Sequence, residues 1–350
     1  MTERLPWDHE RLAVRRGRRS GVTTMVAIHS TALGPAAGGC RMRQYPSLDE
    51  AERDVLRLSA AMSAKCAVAG LAIGGAKSVI VLEPGQRLTP AERRAVLLDH
   101  AELIESLDGA YLAGPDVGTG PEDMLVLREG TRHVFCLPES AGGIGSSSGP
   151  TADGVLAALR AAVTAVFGAA DLARRRVVVA GFGAVGRPLA LGLAEAGADV
   201  VVSDVDPRAR EDARWLGYGW AEPGEALAHP ADVVVPAAVG GVLAADTPLA
   251  APLVVGPANN QLVSDDVADA LAARGVTWVP DYVASAGGVV YTVAREIEGL
   301  DHAAAAARVA GIGDVVSRLL SDSAEHGTTP LAEAAALTRR RISGVRPTAG

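Results

Sequence analysis

The sequence is poor in cysteine and in aromatic residues, and these scarcities exclude several classes of protein. Its 350 residues include three cysteines, Cys40, Cys66 and Cys136, and aromatic residues make up 3%. An odd number of widely spaced cysteines supports neither a disulfide framework nor a zinc site, and it suits a reducing cytoplasm. The seven histidines are scattered without an H-E-x-x-H pair, so no metal centre is expected.

An excess of positive charge and long apolar runs are also lacking. Acidic residues number 41 against 33 basic ones, and the net charge of −8 argues against nucleic acid as the main partner. No stretch approaches the ~20 uninterrupted apolar residues of a membrane span, and the N-terminus is charged where a signal peptide would be apolar. The basic cluster Arg15, Arg16, Arg18 and Arg19 is interpreted as a solvated turn. We therefore expect a cytoplasmic protein with neither a membrane nor a nucleic acid as partner.

Apolar residues and glycine are plentiful. Hydrophobic residues make up 49% of the chain and there are 40 glycines, which predicts an α/β protein with many tight turns. The length suits two domains. The segment from Ser140 to Pro150 is the most linker-like part of the chain, so we place the domain boundary between residues 146 and 147.

Hydrophobic periodicity predicts the elements on either side of this boundary. Before it we expect a hairpin leading into strand 22–29, a helix from Ser47 to about Ala64, a glycine-rich turn, strand 78–82, a helix from Pro90 to Leu107 and a strand ending near Ala113. Beyond it, strands alternate with helices, which predicts a parallel, doubly wound sheet. The expected elements there are helix 152–168, strands 176–180, 199–203, 232–235, 253–256 and 276–279, and helices 187–196 and 302–320.

A glycine-rich turn in the second part has the features of a dinucleotide site. The expected strand at 177–180 leads into Gly181-Phe182-Gly183-Ala184-Val185-Gly186, a helix follows, and the next strand ends on Asp204. Such glycines permit a tight turn and the close approach of a pyrophosphate to the helix N-terminus. Asp204 would bind ribose hydroxyls and repel a 2′-phosphate, which favours NAD, although Arg208 and Arg210 leave NADP open. The alternative is a glycine turn needed for packing alone.

Two lysines and an aspartate in the first part are candidates for acid–base chemistry. The apolar helical stripe through Leu58 and Met62 reaches Lys65 one step later, and Lys77 follows two glycines at the start of an apolar strand. A buried ammonium group is costly unless it meets an anion, and such a lysine can act as a general base. For Lys65 alone a surface side chain is an equal alternative, and Asp116 in its Gly-Pro-Asp turn is by itself more often a turn-capping residue.

Several longer motifs carry a family resemblance. They are the run Leu33 to Arg41, the segment Met62 to Lys77, Gly-Pro-Asp-Val-Gly-Thr at 114–119, Gly-Pro-Ala-Asn-Asn-Gln at 256–261 and Pro-Asp-Tyr-Val at 280–283. In order and over nearly the whole chain, they resemble the leucine/phenylalanine/valine dehydrogenases of the amino-acid dehydrogenase superfamily. The resemblance implies a homo-oligomer that deaminates an L-amino acid oxidatively with NAD, in a cleft between two domains.

The resemblance also implies a role for each domain. Residues 1–146 would bind substrate and form the oligomer contact, with a C-terminal helix at about 328–350 packing back on them. Residues 147–327 would form a Rossmann-type NAD-binding domain. Both domains are expected to be α/β.

Individual residues take roles by the same resemblance. Lys65 would pair with the substrate carboxylate, Lys77 would activate the attacking water, and Asp116 would exchange protons with the amino group. The remaining assignments are Gly39 and Asn260 at the substrate, Thr151 beside the nicotinamide, Asn259 near the ribose, and Ser285 where relatives usually have an asparagine. Serine reaches less far than asparagine and offers one donor instead of two, so nicotinamide positioning could be weaker here.

The signals for substrate size conflict. By the family resemblance, Ala37 and Gly114 are small residues at positions that line the pocket for the substrate side chain, and they leave room for an aromatic ring. Val289, at another position of this pocket, instead resembles the residue found with branched aliphatic substrates. We expect a bulky apolar substrate such as phenylalanine, with branched aliphatic amino acids as rivals.

Two other classes of function stay open at this point. One is a non-catalytic nucleotide-binding protein or sensor, which would not need Lys65, Lys77 and Asp116 together. The other is a serine hydrolase, because Gly145-x-Ser147-x-Gly149 matches G-x-S-x-G, although no strand is expected before that serine.

Overall fold

The computed structural model describes residues 8–169 and 171–344, which form two compact units. The first consists of the described residues within Met1–Ser146 and Thr338–Gly350, and the second of those within Ser147–Leu337. Each unit has a β-sheet with helices packed on it, which confirms the expected α/β class. The expected helix at 328–350 corresponds to a helix over Pro330–Gly344, and residues 345–350 lie outside the described residues.

The first unit is built on a mixed sheet. Its elements in chain order are β1 (Arg11–Arg16), β2 (Thr23–Ser30), β3 (Ala36–Gln44), α1 (Leu48–Val68), β4 (Gly74–Leu82), α2 (Pro90–Glu105), β5 (Tyr111–Pro115) and α3 (Pro121–Arg128). The strand order is β1-β2-β4-β3-β5, with β3 parallel to both β4 and β5 and β2 antiparallel to β1 and β4. Strand β3 therefore lies between the two strands that carry Lys77 and lead to Asp116.

Helix α1 begins where the sequence predicts. The Ser47 hydroxyl accepts the backbone N–H of Glu50 at 3.2 Å and caps the first turn. The helix runs further than expected, to Val68, and the Arg341 guanidinium donates to the carbonyls of Ala67 and Val68 at its end. A contact from a distant part of the chain thus adds side-chain donors to the carbonyls at the end of the helix.

Strand β4 begins earlier than the sequence predicts. Gly74 and Gly75 are strand residues and not part of the expected turn. A methyl group on Gly75 would overlap Ser63 of α1, and one on Gly74 would overlap the backbone of Ser30. The glycines are therefore required for close packing of helix and neighbouring strand against β4, a tertiary demand that local sequence patterns do not reveal.

Strand β3 is absent from the sequence-based expectations. Its residues AAGGCRMRQ contain no β-branched side chain, so intrinsic strand propensity is low. Hydrogen bonding to β4 on one side and β5 on the other supplies the stability that propensity does not.

The second unit contains the predicted parallel sheet. Its elements are α4 (Ser148–Phe167), β6 (Arg176–Ala180), α5 (Gly186–Glu195), β7 (Asp199–Ser203), α6 (Pro207–Trp215), β8 (Gly219–Trp220), β9 (Val233–Pro236), β10 (Leu253–Val254), α7 (Val267–Ala273), β11 (Thr277–Trp278), α8 (Asp281–Ala284), α9 (Gly287–Thr292), α10 (His302–Ala310) and α11 (Ile312–His326). The last helix, α12 (Pro330–Gly344), begins within the second unit, and its residues from Thr338 onward belong to the first. The strand order is β11-β10-β9-β6-β7-β8 and every pairing is parallel. The order reverses between β6 and β9, and open α/β sheets bind ligands at the carboxyl ends of strands at such a point.

Two helices of this unit differ from expectation. By length and composition alone α4 could cross a membrane, but it packs against α5, α9 and α11 within the unit. The single helix expected over 302–320 is two helices, α10 and α11, that meet at Gly311.

One buried carboxylate, Asp99 of α2, holds the β1–β2 turn. It accepts the backbone N–H of Arg19 at 3.1 Å and of Ser20 at 2.8 Å, together with the Ser20 hydroxyl at 2.7 Å. Arg19 also pairs with Asp99 and Glu102, and Arg15 pairs with Glu102, so these two arginines have acidic partners within the chain. Burial alone would raise the pKa of Asp99, but hydrogen bonds from Ser20 and Arg19 lower it below its ordinary value.

Asp99→Asn should therefore lower the free energy of unfolding by about 1–3 kcal/mol at neutral pH, because an acceptor facing several donors becomes a donor. Urea unfolding measures the effect, with Glu211→Gln at an exposed position as the control. Since the pKa of Asp99 is lowered in the folded state, its stabilising contribution should be lost as the pH falls below about 4. Equal stability of wild type and variant at neutral pH would contradict this account of the turn.

Candidate functional site

Lys77 and Asp116 form a buried ion pair in the first unit. Lys77 Nζ lies 3.1 Å from Asp116 Oδ1, and the Lys77 side chain is 8% exposed. Lys77 is on β4, whereas Asp116 directly follows β5, two strands away in the sheet order. The pair brings together an ammonium group that can release a proton and a carboxylate that can accept one.

Gly39 makes this approach possible. It lies on β3, the strand between β4 and β5, and faces Gly114 of β5. A Cβ at Gly39 would lie 2.7 Å from the Asp116 Cβ and 3.0 Å from Lys77 Nζ. Any larger residue would push the two charged side chains apart, which gives a physical reason for glycine at this position.

The loop that carries Asp116 is attached to its surroundings at several points. The Thr119 hydroxyl donates to the Cys40 carbonyl at 2.7 Å and accepts the Asp116 N–H at 3.0 Å. Arg93 of α2 donates to the Gly118 carbonyl at 2.6 Å. Gly118 has φ +83°, a left-handed conformation that favours glycine. The carboxylate is therefore held on an immobilised turn.

A second cation contacts the same carboxylate. Arg41 Nε donates to Asp116 Oδ2 at 2.8 Å, and Arg41 Nη1 donates to Asp54 Oδ2 of α1 at 2.9 Å. Burial alone would raise the pKa of Asp116, but the charges of Lys77 and Arg41 and their hydrogen bonds lower it below its ordinary value. Asp116 is therefore anionic at neutral pH.

A buried polar network supports the backbone beneath this site. The Tyr111 hydroxyl lies 3.0 Å from the Gly38 carbonyl and 2.9 Å from the Ser78 hydroxyl, and His100 Nε2 lies 2.9 Å from the same hydroxyl. Burial lowers the pKa of His100 to about 3, so this imidazole is neutral. The network fixes β3 and β4 at the positions next to Gly39 and Lys77.

The other predicted substrate residues of this unit are near the same strands. Lys65 lies in the last turn of α1 and is half-buried. Ala37 of β3 is buried. A methyl group at Gly114 would overlap the ring of Phe135, so the space beside this glycine is filled by the chain's own side chain. That Gly114 leaves room for a substrate ring stays a prediction, and Phe135 is the side chain that borders this space.

The glycine turn of the second unit has the geometry expected of a phosphate site. Gly181 has φ +123° and Gly186 packs its Cα against the Gly181 carbonyl, so neither tolerates a side chain. A Cβ at Gly183 would meet nothing within 4 Å. Within the part of the chain that the structure describes, the amides of Gly183 and Ala184 donate to no protein acceptor. Open space and free amides before a helix N-terminus suit an anionic group.

Asp204 is fixed beside this turn. Its Oδ2 accepts the N–H of Phe182 at 2.7 Å and its Oδ1 accepts the N–H of Asp206 at 2.9 Å. Each carboxylate oxygen has a further lone pair for a ligand hydroxyl. The half-exposed carboxylate borders an apolar cavity of about 240 Å³ whose lining includes Val205, Leu227 and Val239. The size and apolar lining suit a planar ring.

The basic residues near Asp204 are paired with acids. Arg208 pairs with Asp206 at 2.8 Å, and Arg210 pairs with Glu222 at 3.1 Å. Arg187, directly after the glycine turn, pairs with Asp212. The cations that left a 2′-phosphate open as a ligand therefore each have an acidic partner.

Of the two predicted nicotinamide residues, Thr151 lies in the first turn of α4, and Ser285 ends α8 two residues before α9 begins. A methyl group at Gly288 would lie 2.5 Å from Thr151 Oγ1, so glycine brings α4 and α9 into contact. The hydroxyl of the neighbouring Ser285 is buried and has no hydrogen-bond partner within the described residues. An unpaired buried hydroxyl costs free energy and can be satisfied by a polar ligand group. Val289 follows on α9 and is half-buried.

The asparagines of the second unit lie in a stabilised loop. Asn259 and Asn260 are exposed, and Asn260 has φ +54°. The next residue, Gln261, is buried; its N–H donates to Asp281 at 2.8 Å and its side chain accepts from Trp278 at 2.9 Å. The exposed side-chain amides of Asn259 and Asn260 therefore precede a residue that is held in place by hydrogen bonds.

The structure thus groups the predicted residues within each unit. In the first unit, Gly39, Lys77 and Asp116 are in contact. In the second unit, the glycine turn contacts Asp204, and Thr151 contacts α9. Sequence reasoning missed Arg41 and Phe135. Alternation along a strand would have placed Arg41 on the Gly39 face, but β3 was not predicted as a strand. Among residues 8–169 and 171–344, no cluster of acidic, histidine or cysteine side chains suits a metal ion.

Ser147 does not have the setting of a hydrolase nucleophile. It directly precedes α4, and a short 3₁₀ turn at Glu139–Ala141, not a strand, comes before it. The strained strand-to-helix turn that exposes such a serine is missing from this described segment.

Comparison with known proteins extends this picture. Residues 9–133 match a family model described as the dimerisation domain of Glu/Leu/Phe/Val dehydrogenases. The chain is 36% identical over 343 residues to a phenylalanine dehydrogenase of Bacillus thermotolerans, which covers 96% of this chain and 88% of the relative. A valine dehydrogenase of Streptomyces virginiae is 39% identical over 344 residues, which are 97% and 95% of the two chains. The crystal structure of L-tryptophan dehydrogenase from Nostoc punctiforme has a TM-score of 0.81 at 31% identity and covers 97% of each chain.

Proposed function

The chain belongs to the Glu/Leu/Phe/Val dehydrogenase family, and we propose that it catalyses the reversible, NAD-dependent oxidative deamination of a hydrophobic L-amino acid to its 2-oxo acid and ammonia. The observation that carries this proposal is the buried contact of Lys77 with Asp116 over Gly39. The similar proteins named above act on phenylalanine, valine and tryptophan, which supports a hydrophobic substrate. A non-catalytic sensor is disfavoured, because ligand binding alone does not need this proton-transferring pair.

The chain's own groups account for the proton transfers. Asp116, held as an anion, accepts a proton from the substrate amino group. NAD, when bound, supplies the acceptor for the hydride that leaves the substrate Cα. Once Lys77 has released its own proton to solvent, its neutral amine removes a proton from the water that adds to the imino carbon. Asp116 then returns its proton to the nitrogen, and the hydroxyl proton passes to solvent as the C–N bond breaks to give the carbonyl and ammonia. Lys65 pairs with the substrate carboxylate and orients it.

Residues of the second unit would hold the cofactor. The free amides of Gly183 and Ala184 suit its pyrophosphate. Asp204 suits the adenosine ribose, and the adjoining apolar cavity suits adenine. Thr151 and the unpaired hydroxyl of Ser285 suit the nicotinamide amide. Asn259 and Asn260 are assigned to the ribose end and the substrate carboxylate.

The proposal includes the assembly and the compartment. The matched model describes a dimerisation domain, which supports a homo-oligomer built through the N-terminal unit. The three cysteines are buried thiols, which suits the reducing cytoplasm that we propose as its location.

Lys77→Ala tests whether Lys77 acts in catalysis and not in cofactor binding. Removing a general base typically costs about 10²–10⁴ in rate, so turnover with L-phenylalanine, leucine and valine should fall by that factor. NAD affinity, measured by calorimetry, should be unchanged because the cofactor contacts lie elsewhere.

Lys65→Ala is the variant to compare with Lys77→Ala, because it removes the other candidate lysine. It should mainly raise KM for the amino acid, since it removes carboxylate binding. Loss of NAD binding in Lys77→Ala, or an unchanged KM in Lys65→Ala, would refute the corresponding role.

The acidic pairs around Asp204 predict a cofactor preference. Wild-type kcat/KM should favour NAD over NADP by at least about 100-fold, or ~3 kcal/mol. Asp206→Ser keeps a helix-capping residue but frees Arg208, so relative NADP use should rise by about tenfold. Glu222→Gln, which frees Arg210 outside the cavity beside Asp204, is the control and should leave the ratio unchanged. A wild-type preference for NADP would reject this assignment.

The ring beside Gly114 predicts a limit on substrate size. Phe135→Ala empties space next to this glycine, so kcat/KM for phenylalanine or tryptophan should rise relative to valine by about tenfold or more. Steady-state rates across hydrophobic amino acids measure the ratio, and Leu137→Ala, two residues along, is the control. An unaltered ratio in Phe135→Ala would remove Phe135 from the substrate pocket.

A further inference from the structure

A chain of charges leads from the catalytic carboxylate to helix α1. The Arg41 guanidinium donates through Nε to Asp116 and through Nη1 to Asp54, and its side chain is 14% exposed. The planar guanidinium presents its donors in fixed directions, so one arginine can bridge two carboxylates rigidly. Nothing in the acid–base chemistry described above requires Asp54.

Asp54 is itself held firmly. Its Oδ2 accepts the Tyr45 hydroxyl at 2.8 Å, and its Oδ1 lies 2.9 Å from Arg57 Nη2. Desolvation alone would raise the pKa of Asp54, but these hydrogen bonds and the charge of Arg41 lower it, so the carboxylate is anionic at neutral pH. Asp54 also lines a cavity of about 650 Å³, so exchanging its carboxylate for an amide leaves the surrounding packing in place.

The other groups facing this cluster do not compensate for a change in its charge. Burial raises the pKa of Cys40 on β3 to about 12, and burial raises the pKa of Tyr111 on β5 well above its ordinary value, so both are neutral. Arg93 of α2 pairs with Asp123 of α3. Arg57 is the outermost cation and is half-exposed. The balance at Asp116 therefore depends on Lys77, Arg41 and Asp54.

We propose that Arg41 is a positioning residue that holds Asp116 against Lys77, and that Asp54 sets the strength of this hold by sharing the arginine's charge. The inference rests on the proposed dehydrogenase function, because it concerns how the pair performs its proton transfers. Removal of Arg41 takes a cation from the cluster and makes every neighbouring group bind protons more tightly. Removal of the Asp54 charge has the opposite effect, because Arg41 then acts on Asp116 alone.

The pH dependence of kcat/KM tests the proposal. In Arg41→Met the acid limb of the profile should move to higher pH by about one unit, a tenfold change in proton affinity. In Asp54→Asn it should move to lower pH by roughly half a unit, since this charge is more distant. Arg41→Lys keeps the charge and should restore the limb to within about 0.3 units of wild type. A purely structural role predicts lower rates but no opposed shifts.

A second readout does not depend on turnover. In protein labelled with ¹³C at aspartate carboxyls, the Asp116 resonance, assigned by its loss in Asp116→Asn, should titrate with the same opposed shifts. The control is Arg93→Gln, which loosens the same loop at the Gly118 carbonyl and should lower the rate without moving either titration.

The outcomes separate the two ideas. Shifts in the same direction for Arg41→Met and Asp54→Asn, or no shift in Asp54→Asn, would overturn the role of Asp54 as a modulator. If Arg41→Met does not fold, Arg41→Gln and Asp54→Asn decide the matter. A wild type that oxidises none of the hydrophobic amino acids would reject the proposed function, while the resonance of Asp116 would still decide the inference.

Discussion

The first unit depends on keeping an ammonium group and a carboxylate in contact where little water reaches them. Taking either charge out of water is costly, and mutual attraction repays this cost only when geometry and additional hydrogen bonds are favourable. Lys77 and Asp116 meet that condition because Gly39 leaves room between them and Arg41 satisfies the second carboxylate oxygen. The glycines of β3 and β4, the loop contacts of Thr119 and the buried Tyr111 network all serve this arrangement.

In the second unit, the glycine turn leaves backbone N–H donors available to an anion, while the residues around the turn are closely packed. Gly181 and Gly186 are closed in by neighbouring backbone, whereas the position of Gly183 is open. Asp204 braces the turn through the Phe182 N–H. The nearby arginines Arg187, Arg208 and Arg210 each pair with an aspartate or a glutamate.

Much of the fold followed from local patterns. Buried valine strands at β6 and β7 appear at the predicted residues, and the alternation of strands and helices correctly indicated a parallel sheet. The capping serine located the start of α1 because that signal acts within one helical turn. Local patterns failed where distant contacts supply the stability, as in β3, the early start of β4 and the longer α1. The gap at Gly311 between α10 and α11 was missed because Ala-rich periodicity continues across it.

By itself the sequence determined the types of reacting group, the glycine turn with its terminal aspartate, and the family to which these motifs point. Motif spacing carries that information because each motif is a local unit of backbone and side chains. Only the tertiary structure decided that Arg41 links Asp116 to Asp54, that the Phe135 ring lies against Gly114, and that Arg208 pairs with Asp206. The charge around a carboxylate and the space beside a glycine depend on which side chains are in contact across neighbouring strands and helices. The separation of residues along the chain does not specify these contacts.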